Sequence, residues 1–500
     1  MNKKILLSLG ISMFALCSTN GFAQTDDHSA MRNDSHNAAY YHKPLQYGAD
    51  RLQRREDPAI HKFRENRFGG MIHWGLYAIP GGEWKGKWCG SAPTFIHGMI
   101  PKKEYDKFLH QWNPVNYDAK KWAKMYKEMG VKYITITTKH HEGFCLWPSK
   151  YSDYTVAQTP YKKDLIGPLV KELNKVGIDI YFYYSVLDWH HPDWRYKVKT
   201  KEDEVAFKRF LEFSENQLVE LCEKYPTVKG FWFDGTWDTS IAKQNPGWTA
   251  HIEKRLKSII PGLIISSRLR ADDNGKRHFD SNGYLMGDYC SGYERNLPKA
   301  EDQKCDFASN PNKDTKIYTM DWETCVTVPN TVWGYYKDWS KISPRNRHIK
   351  TPFELIDWIA QAASMGGNFL LNFGPQPDGD FRPEEKHIAK TIGQWMKKNG
   401  EAIYGCSHAD LKKQDWGHYT QKGDNIYMIV INRPYSGFLP VVMPNSKARI
   451  TECAMLDGSK DGKKLTVEQG DCKTREWSQF NVMLPEKDPG EPFVVKIKIK

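Results

Sequence analysis

From about residue 60 to residue 405, short apolar or aromatic runs alternate with longer segments of helical period. The runs are Gly70–Trp74, Lys132–Thr138, Asp179–Ser185, Val228–Phe233, Leu263–Ser267, Lys316–Asp321 and Asn368–Phe373. They are continuous rather than alternating, the pattern of strands buried on both faces of a parallel sheet. Between them, Asp118–Met129 repeats Ala119, Trp122, Ala123, Tyr126 and Met129 on one helical face. Asp118 stands as its N-cap and Gly130 as its stop. Asp164–Lys175, Glu204–Tyr225, His251–Ile260, Pro352–Ser364 and Glu384–Lys398 read as further helices. A regular βαβα order implies a parallel sheet with helical crossovers. Seven marked strands and one that the pattern does not mark predict an α/β fold, a (β/α)8-like barrel over 58–405.

After Gly405 the pattern changes. Asn425–Asn432, Phe438–Val442, Ala448–Met455, Leu465–Gln469 and Pro492–Ile499 are short strand-like runs with turns between them. They predict a smaller C-terminal β-sandwich over 406–500.

The other end of the chain bears on compartment. Met1-Asn2-Lys3-Lys4 is basic, and Ile5–Leu16 is apolar but too short to span a bilayer. Gly21-Phe22-Ala23 then offers small residues to a signal peptidase. Residues 1–23 are expected to be a secretory signal peptide, which places the protein in the periplasm or outside the cell. Residues 24–57 are polar and aperiodic, a leader into the domain.

Composition changes the picture little. Aromatic residues make up 13%, including 18 Trp and 26 Tyr, which suits sugar-binding clefts and large barrels equally. The net charge of +12 is scattered, and no run of five Lys or Arg marks a nucleic-acid footprint. Of ten cysteines, Cys17 leaves with the signal, and an odd number remains. Most read as buried small hydrophobes, with Cys290–Cys305 and Cys453–Cys472 as candidate disulfides.

A barrel carries its active site at the C-terminal ends of its strands. Ionisable and aromatic residues concentrate there: His73-Trp74, His140-His141-Glu142, Tyr184 to Trp189, Asp234, Arg268 and Glu323. Asp234 ends an aromatic strand and precedes Gly235, so it suits a glycosidase nucleophile or a structural cap. Both His140 and His141 can reach one ligand only if the strand ends there. They fit donors to sugar hydroxyls or satisfied core histidines, and no third ligand at metal spacing accompanies them. Arg268 fits a carboxylate partner or a structural ion pair. There is no phosphate-binding glycine motif and no nucleophile elbow.

With these residues in view, the chain resembles the α-L-fucosidases of glycoside hydrolase family 29. The matching segments are His73-Trp74-Gly75, WNPVNYDAKKWA (112–123), TKHHEGFCLWPS (138–149), YYSVLDWHHP (183–192), FWFDG (231–235), WETC with WGYY (322–325, 333–336) and GGNFLLNFGPQPDG (366–379). The resemblance implies a retaining exo-glycosidase acting on terminal α-L-fucose of oligosaccharides or glycoconjugates. It implies Asp234 as nucleophile and His73, His140, His141 and Tyr184 on the sugar hydroxyls. It also implies Arg268 near the ring and nucleophile, Trp333 as a lining aromatic, and no metal or organic cofactor. Glu294, in a loop where the family's Thr-Pro-Glu has become Gly-Tyr-Glu, is the expected acid/base, with Glu323 the second candidate. The family's Glu-Trp pair is replaced by Thr94-Phe95, with His97 nearby. That departure leaves open a related L-sugar such as α-L-galactose, and the altered loop leaves open an inactive glycan-binding relative.

Overall fold

Eight short strands, seven of them buried almost throughout, form one parallel sheet. In the computed structural model, described residues are 53–90, 92, 99–236, 241, 245–271, 278–280, 283–298, 316–342, 348–443, 447–473, 477–490 and 492–500. The strands are β1 (Phe68–Ile72), then β4 (Tyr133–Lys139), β5 (Asp179–Ser185), β6 (Gly230–Asp234) and β7 (Ile264–Ile265). β8 (Cys290–Glu294), β9 (Trp322–Thr327) and β10 (Asn368–Phe373) complete the set, while β2 (Gly82–Trp84) and β3 (Lys87–Gly90) form a separate hairpin. Their order is β7-β6-β5-β4-β1-β10-β9-β8. A parallel bridge between Ser266 and Tyr289 joins the two outermost strands, so the sheet curls into the expected barrel.

Two strand expectations are corrected. Lys316–Asp321 is not a strand: its centre, Ile317–Thr319, is a 3-10 turn, and the strand follows at Trp322–Thr327. The unmarked eighth strand is Cys290–Glu294, whose sequence CSGYE is too polar and small to read as a buried run. The six helices form as read, with ends shifted by a few residues. Over Ala119–Met129, Asp118 accepts from Lys120 and Lys121 amides, and Gly130 closes the helix at φ 93°.

Alternation along each strand sorts side chains into two layers. Phe68, Ile72, Phe182, Tyr184, Phe231, Phe233, Phe369 and Leu371 face outward into the main core beneath the helices. Met71, Tyr133, Tyr181, Tyr183, Trp232, Cys325 and Leu370 fill the barrel interior. The helix Pro58–Asn66 plugs the barrel floor with Ile60 and Phe63. Arg55, from the last residues of the polar leader, is buried there and bonds Asp57, Asp288 and the Leu263 carbonyl. The leader's end is therefore part of the barrel. The signal-peptide expectation and most of the leader lie outside the described residues.

The C-terminal region is a sandwich of a five-stranded and a three-stranded antiparallel sheet. The larger holds β11 (Gly417–Lys422), β12 (Asn425–Val430), β14 (Ile450–Met455), β15 (Lys463–Lys464) and β18 (Phe493–Ile499). The smaller holds β13 (Phe438–Met443), β16 (Val467–Lys473) and β17 (Ser478–Met483). Met428, Val430 and Val495 meet Leu439, Val441 and Val482 in its core. Its other face reaches the barrel through Tyr427, Ile429 and Val494, and Trp395 Nε1 donates to Pro492 O at 2.7 Å. Among the described residues, no helix is long and apolar enough to cross a membrane. Each candidate disulfide has one cysteine, Cys305 or Cys472, whose side chain lies outside the described residues. Cys89, Cys145, Cys222, Cys290, Cys325 and Cys406 are buried in the core, and Cys453 is half-buried.

Candidate active site

Asp234 is the last residue of β6, on the inward side set by Gly230 and Trp232. Gly235 follows at φ 90°, and a Cβ there would stand 2.5 Å from Leu187 Cβ, so only glycine lets the strand turn so close to the neighbouring loop. Asp234 Oδ2 accepts from the Tyr183 hydroxyl at 2.7 Å. Oδ1 accepts from Arg268 Nη1 at 3.1 Å and from the Gly235 amide at 2.8 Å. Burial works to raise this carboxyl's pKa, but Arg268, His141 and the Tyr183 hydroxyl outweigh it and hold it below its ordinary value.

Arg268 stands between two carboxylates. Its Nη2 donates to Glu294 Oε1 at 3.0 Å while Nη1 holds Asp234. Its Nε donates to Ser291 O at 3.1 Å, and its guanidinium carbon lies 4.4 Å from the Trp232 ring centroid. Glu294, the last residue of β8, also accepts at Oε2 from Arg295 Nη2 at 3.1 Å.

Glu323 lies elsewhere. As the second residue of β9 it pairs in register with Asn368, the first residue of β10. Tyr133 and Trp232 donate to it at 2.5 and 3.1 Å inside the barrel. Burial pushes it up to about 7, but it belongs to the closed interior below the mouth.

The three histidines meet at the mouth. β4 ends at Lys139, after a register shift that turns Lys139 outward to Asp188 and over the Tyr184 ring. With the strand ended, His140 and His141 lie side by side, ring centroids 4.3 Å apart. The His141 amide donates to His140 Nδ1 at 2.8 Å, so the proton of neutral His140 is on Nε2. Asn372 Nδ2 donates to Trp333 O at 2.6 Å, which fixes its amide so that Oδ1 accepts from His73 Nδ1 at 2.6 Å. Neutral His73 therefore presents Nε2 as an acceptor. Burial pushes His73 and His141 down to about 4 and His140 well below its ordinary value, so all three are neutral near pH 7. His141 Nε2 is 3.6 Å from Asp234 Oδ2. The Trp333 ring lies 5.0 Å from that of His73.

The structure thus brings Asp234, Glu294, Arg268, His73, His140, His141 and Trp333 to one mouth. It does not bring Tyr184, which points outward and donates to Gln217 Oε1 at 2.8 Å. Tyr183 takes its place, stacked on Trp232 and His140. Tyr183, Asn372 and Arg295 are site residues that the sequence reading missed. Ser185, inside the Tyr184–Trp189 span it marked, donates to Leu187 O and so accepts from His141 Nδ1 at 2.7 Å, leaving His141 Nε2 an acceptor. Thr94, Phe95 and His97 lie outside the described residues. Among the described residues no group of three or more His, Cys, Asp or Glu is placed to hold a metal ion.

Two carboxylates tied by one guanidinium, under a rim of neutral histidines and aromatics, suit glycoside chemistry. A family model described as alpha-L-fucosidase matches residues 35–401. The chain belongs to the α-L-fucosidase family. A crystal structure of a bacterial fucosidase with a monovalent iminocyclitol inhibitor is 55% identical, with a TM-score of 0.81 over 92% of this chain and 99% of that one. A GH29 alpha-L-fucosidase from Bacteroides thetaiotaomicron, trapped as a covalent intermediate with 2-fluoro-fucosyl fluoride, is 54% identical. Its TM-score is 0.80, over 92% of this chain and 100% of that one. Human tissue alpha-L-fucosidase is 28% identical over 407 residues, 78% of this chain and 79% of that protein. The α-L-fucosidase family places the protein among glycoside hydrolases whose substrates are fucosylated glycans.

Proposed function

We propose that the protein removes terminal α-L-fucose from glycans with retention of configuration, using Asp234 as nucleophile and Glu294 as acid/base. The observation that carries this reading is the Arg268 guanidinium, which bonds both carboxylates at 3.1 and 3.0 Å. One planar guanidinium holds two carboxylates only when they are near neighbours, and retention needs a separation of about 5–5.5 Å. Asp234, ionised and oriented by Tyr183, attacks the anomeric carbon. The C–O bond to the aglycone breaks, and its oxygen takes the proton of Glu294. Glu294 then removes a proton from water, which attacks the anomeric carbon and releases Asp234. His73 and His141 accept from sugar hydroxyls and His140 donates to one, while Trp333 lines the ring.

Mature protein should hydrolyse 4-nitrophenyl α-L-fucoside in preference to the α-L-galactoside. Asp234→Ala should lose turnover by roughly three orders of magnitude or more while circular dichroism stays native. In Glu294→Gln, 2-fluoro-fucosyl fluoride should leave a label on Asp234 readable by mass spectrometry. Turnover surviving in Asp234→Ala, or a label on another residue, would overturn the assignment. Export follows from the pattern of Met1 to Ala23. Its check is a mature chain beginning at Gln24 in the periplasmic or extracellular fraction.

A further inference from the structure

A general acid must offer one carboxyl oxygen to the glycosidic oxygen. In Glu294, both oxygens accept from guanidinium groups. The two partners differ in freedom. Arg268 is 1% exposed and is fixed by Asp234, the Ser291 carbonyl and the Trp232 ring. Arg295 is 35% exposed, and its side chain makes one hydrogen bond among the described residues, to Glu294 Oε2. Its backbone is anchored, with the amide donating to Cys325 O at 2.8 Å. Its φ is 62°, a left-handed conformation uncommon for a non-glycine residue and concentrated at functional sites. That turn folds the side chain back over its own neighbour. The guanidinium carbon also lies 5.6 Å from the Trp333 ring centroid, within cation–π range. An anchored backbone with a half-exposed cation, held by one hydrogen bond among the described residues and a loose ring contact, describes a side chain that can swing.

We propose that Arg295 is a displaceable partner of Glu294 that selects the aglycone. The incoming glycosidic oxygen takes over Glu294 Oε2, and the released guanidinium, steadied on Trp333, pairs with an anionic group on the aglycone, a carboxylate or a sulfate. The inference rests on Glu294 being the acid/base. Oε2 is then the proton-carrying atom: its proton passes to the aglycone oxygen as the C–O bond to the anomeric carbon breaks and the bond to Asp234 forms. A neutral aglycone must break the Glu294–Arg295 pair without replacement. An anionic aglycone replaces the carboxylate that Arg295 loses, and a guanidinium fork matches such oxyanions in two bonds.

The test compares 4-nitrophenyl α-L-fucoside with its analogue carrying a ring carboxylate meta to the phenolic oxygen. The protein should favour the carboxylate by about tenfold in kcat/KM, and the preference should shrink with salt. Arg295→Gly, chosen because glycine accepts the φ of 62°, should abolish the preference and raise kcat/KM for the neutral substrate about threefold. Arg295→Lys should keep part of the preference. An unchanged ratio in Arg295→Gly would overturn the proposal. So would a folded Arg295→Gly inactive on both substrates, since a partner that must leave cannot be indispensable. Glu294→Gln, assayed beside it, separates the failures. If Glu294→Gln is impaired while the Arg295→Gly ratio is unchanged, this inference alone falls. If Glu294→Gln turns over both substrates normally, the acid/base assignment falls and takes this inference with it.

Discussion

Tyr183 and Tyr184 are neighbours in the chain and end on opposite sides of one strand. The first donates to the buried carboxylate of Asp234, and the second donates to Gln217 under the helices. Hydrogen bonds to charged groups contribute about 1.5–3 kcal/mol, so Tyr183→Phe should lower kcat/KM roughly 10–100-fold. Tyr184→Phe removes the bond to Gln217 and the hydroxyl's interaction with the buried Lys139, and should lower the unfolding midpoint while turnover stays within about twofold. Equal losses of activity in the two variants would contradict the assignment. The strand ends were legible in the sequence, because an apolar run followed by a polar residue marks them. Which face looks inward was not. All seven residues of Asp179–Ser185 are buried, so hydrophobicity carries no sign of orientation there. Glu294 and Glu323 show the same limit. Both are strand glutamates, and only register shows that Glu323 stands at the start of its strand and Glu294 at the end.

At the scale of elements, the active-site mouth depends on a floor several layers below it. Phe63 of the helix Pro58–Asn66 sits among Tyr133, Tyr181 and Tyr289, with ring centroids 5.8, 6.0 and 4.7 Å away. Tyr133 in turn donates to Glu323, and Trp232 above it donates to the same carboxylate and stacks on Tyr183. Phe63→Ala leaves a cavity under this column and should cost about 3–5 kcal/mol of stability, read from denaturant midpoints. Turnover of the protein still folded should change far less, because Asp234 is held by Arg268 and Gly235 at the opposite end. A large fall in kcat without loss of stability would show instead that the column transmits to the mouth. The periodic segments of the barrel were legible because parallel strands and amphipathic helices have different periods. β8 was not, because it opens on the small residues Cys290, Ser291 and Gly292 and becomes a strand through its neighbours: Cys290 donates from its amide to Asp321 O and Ser291 to Ser267 Oγ. The sandwich was legible in kind, although β11, whose buried positions include the polar His418 and Thr420, and β17, buried only at alternate positions, were missed.

Across the whole molecule, burial has been imposed on ionisable groups of both signs, and their linkage to pH runs in opposite directions. His73 and His141 are pushed down to about 4 by burial, and His140 further in the same direction. The unfolded chain binds these protons from about pH 6.5 downward while the folded protein refuses them until about 4. Stability from the histidines is therefore complete above about 6.5 and falls as pH drops toward 4. Burial pushes Glu142 and Glu385 up to about 8 and Glu323 up to about 7. The folded protein keeps these protons after the unfolded chain has lost them near 4.5, so their contribution falls as pH rises from about 4.5 to 8. Between about 4.5 and 6.5 the two sets oppose each other. Above 6.5, of these two sets, the glutamates alone act. The thermal midpoint should therefore be flat from about pH 4.5 to 6.5 and decline toward pH 8. Glu142 bonds the Leu76 amide at 3.1 Å and the Tyr105 hydroxyl, contacts that a neutral amide can also satisfy. Glu142→Gln should accordingly flatten the decline between pH 6.5 and 8. An identical alkaline decline in the variant would mean that Glu142 is already ionised in the folded protein, and that its hydrogen bonds outweigh its burial.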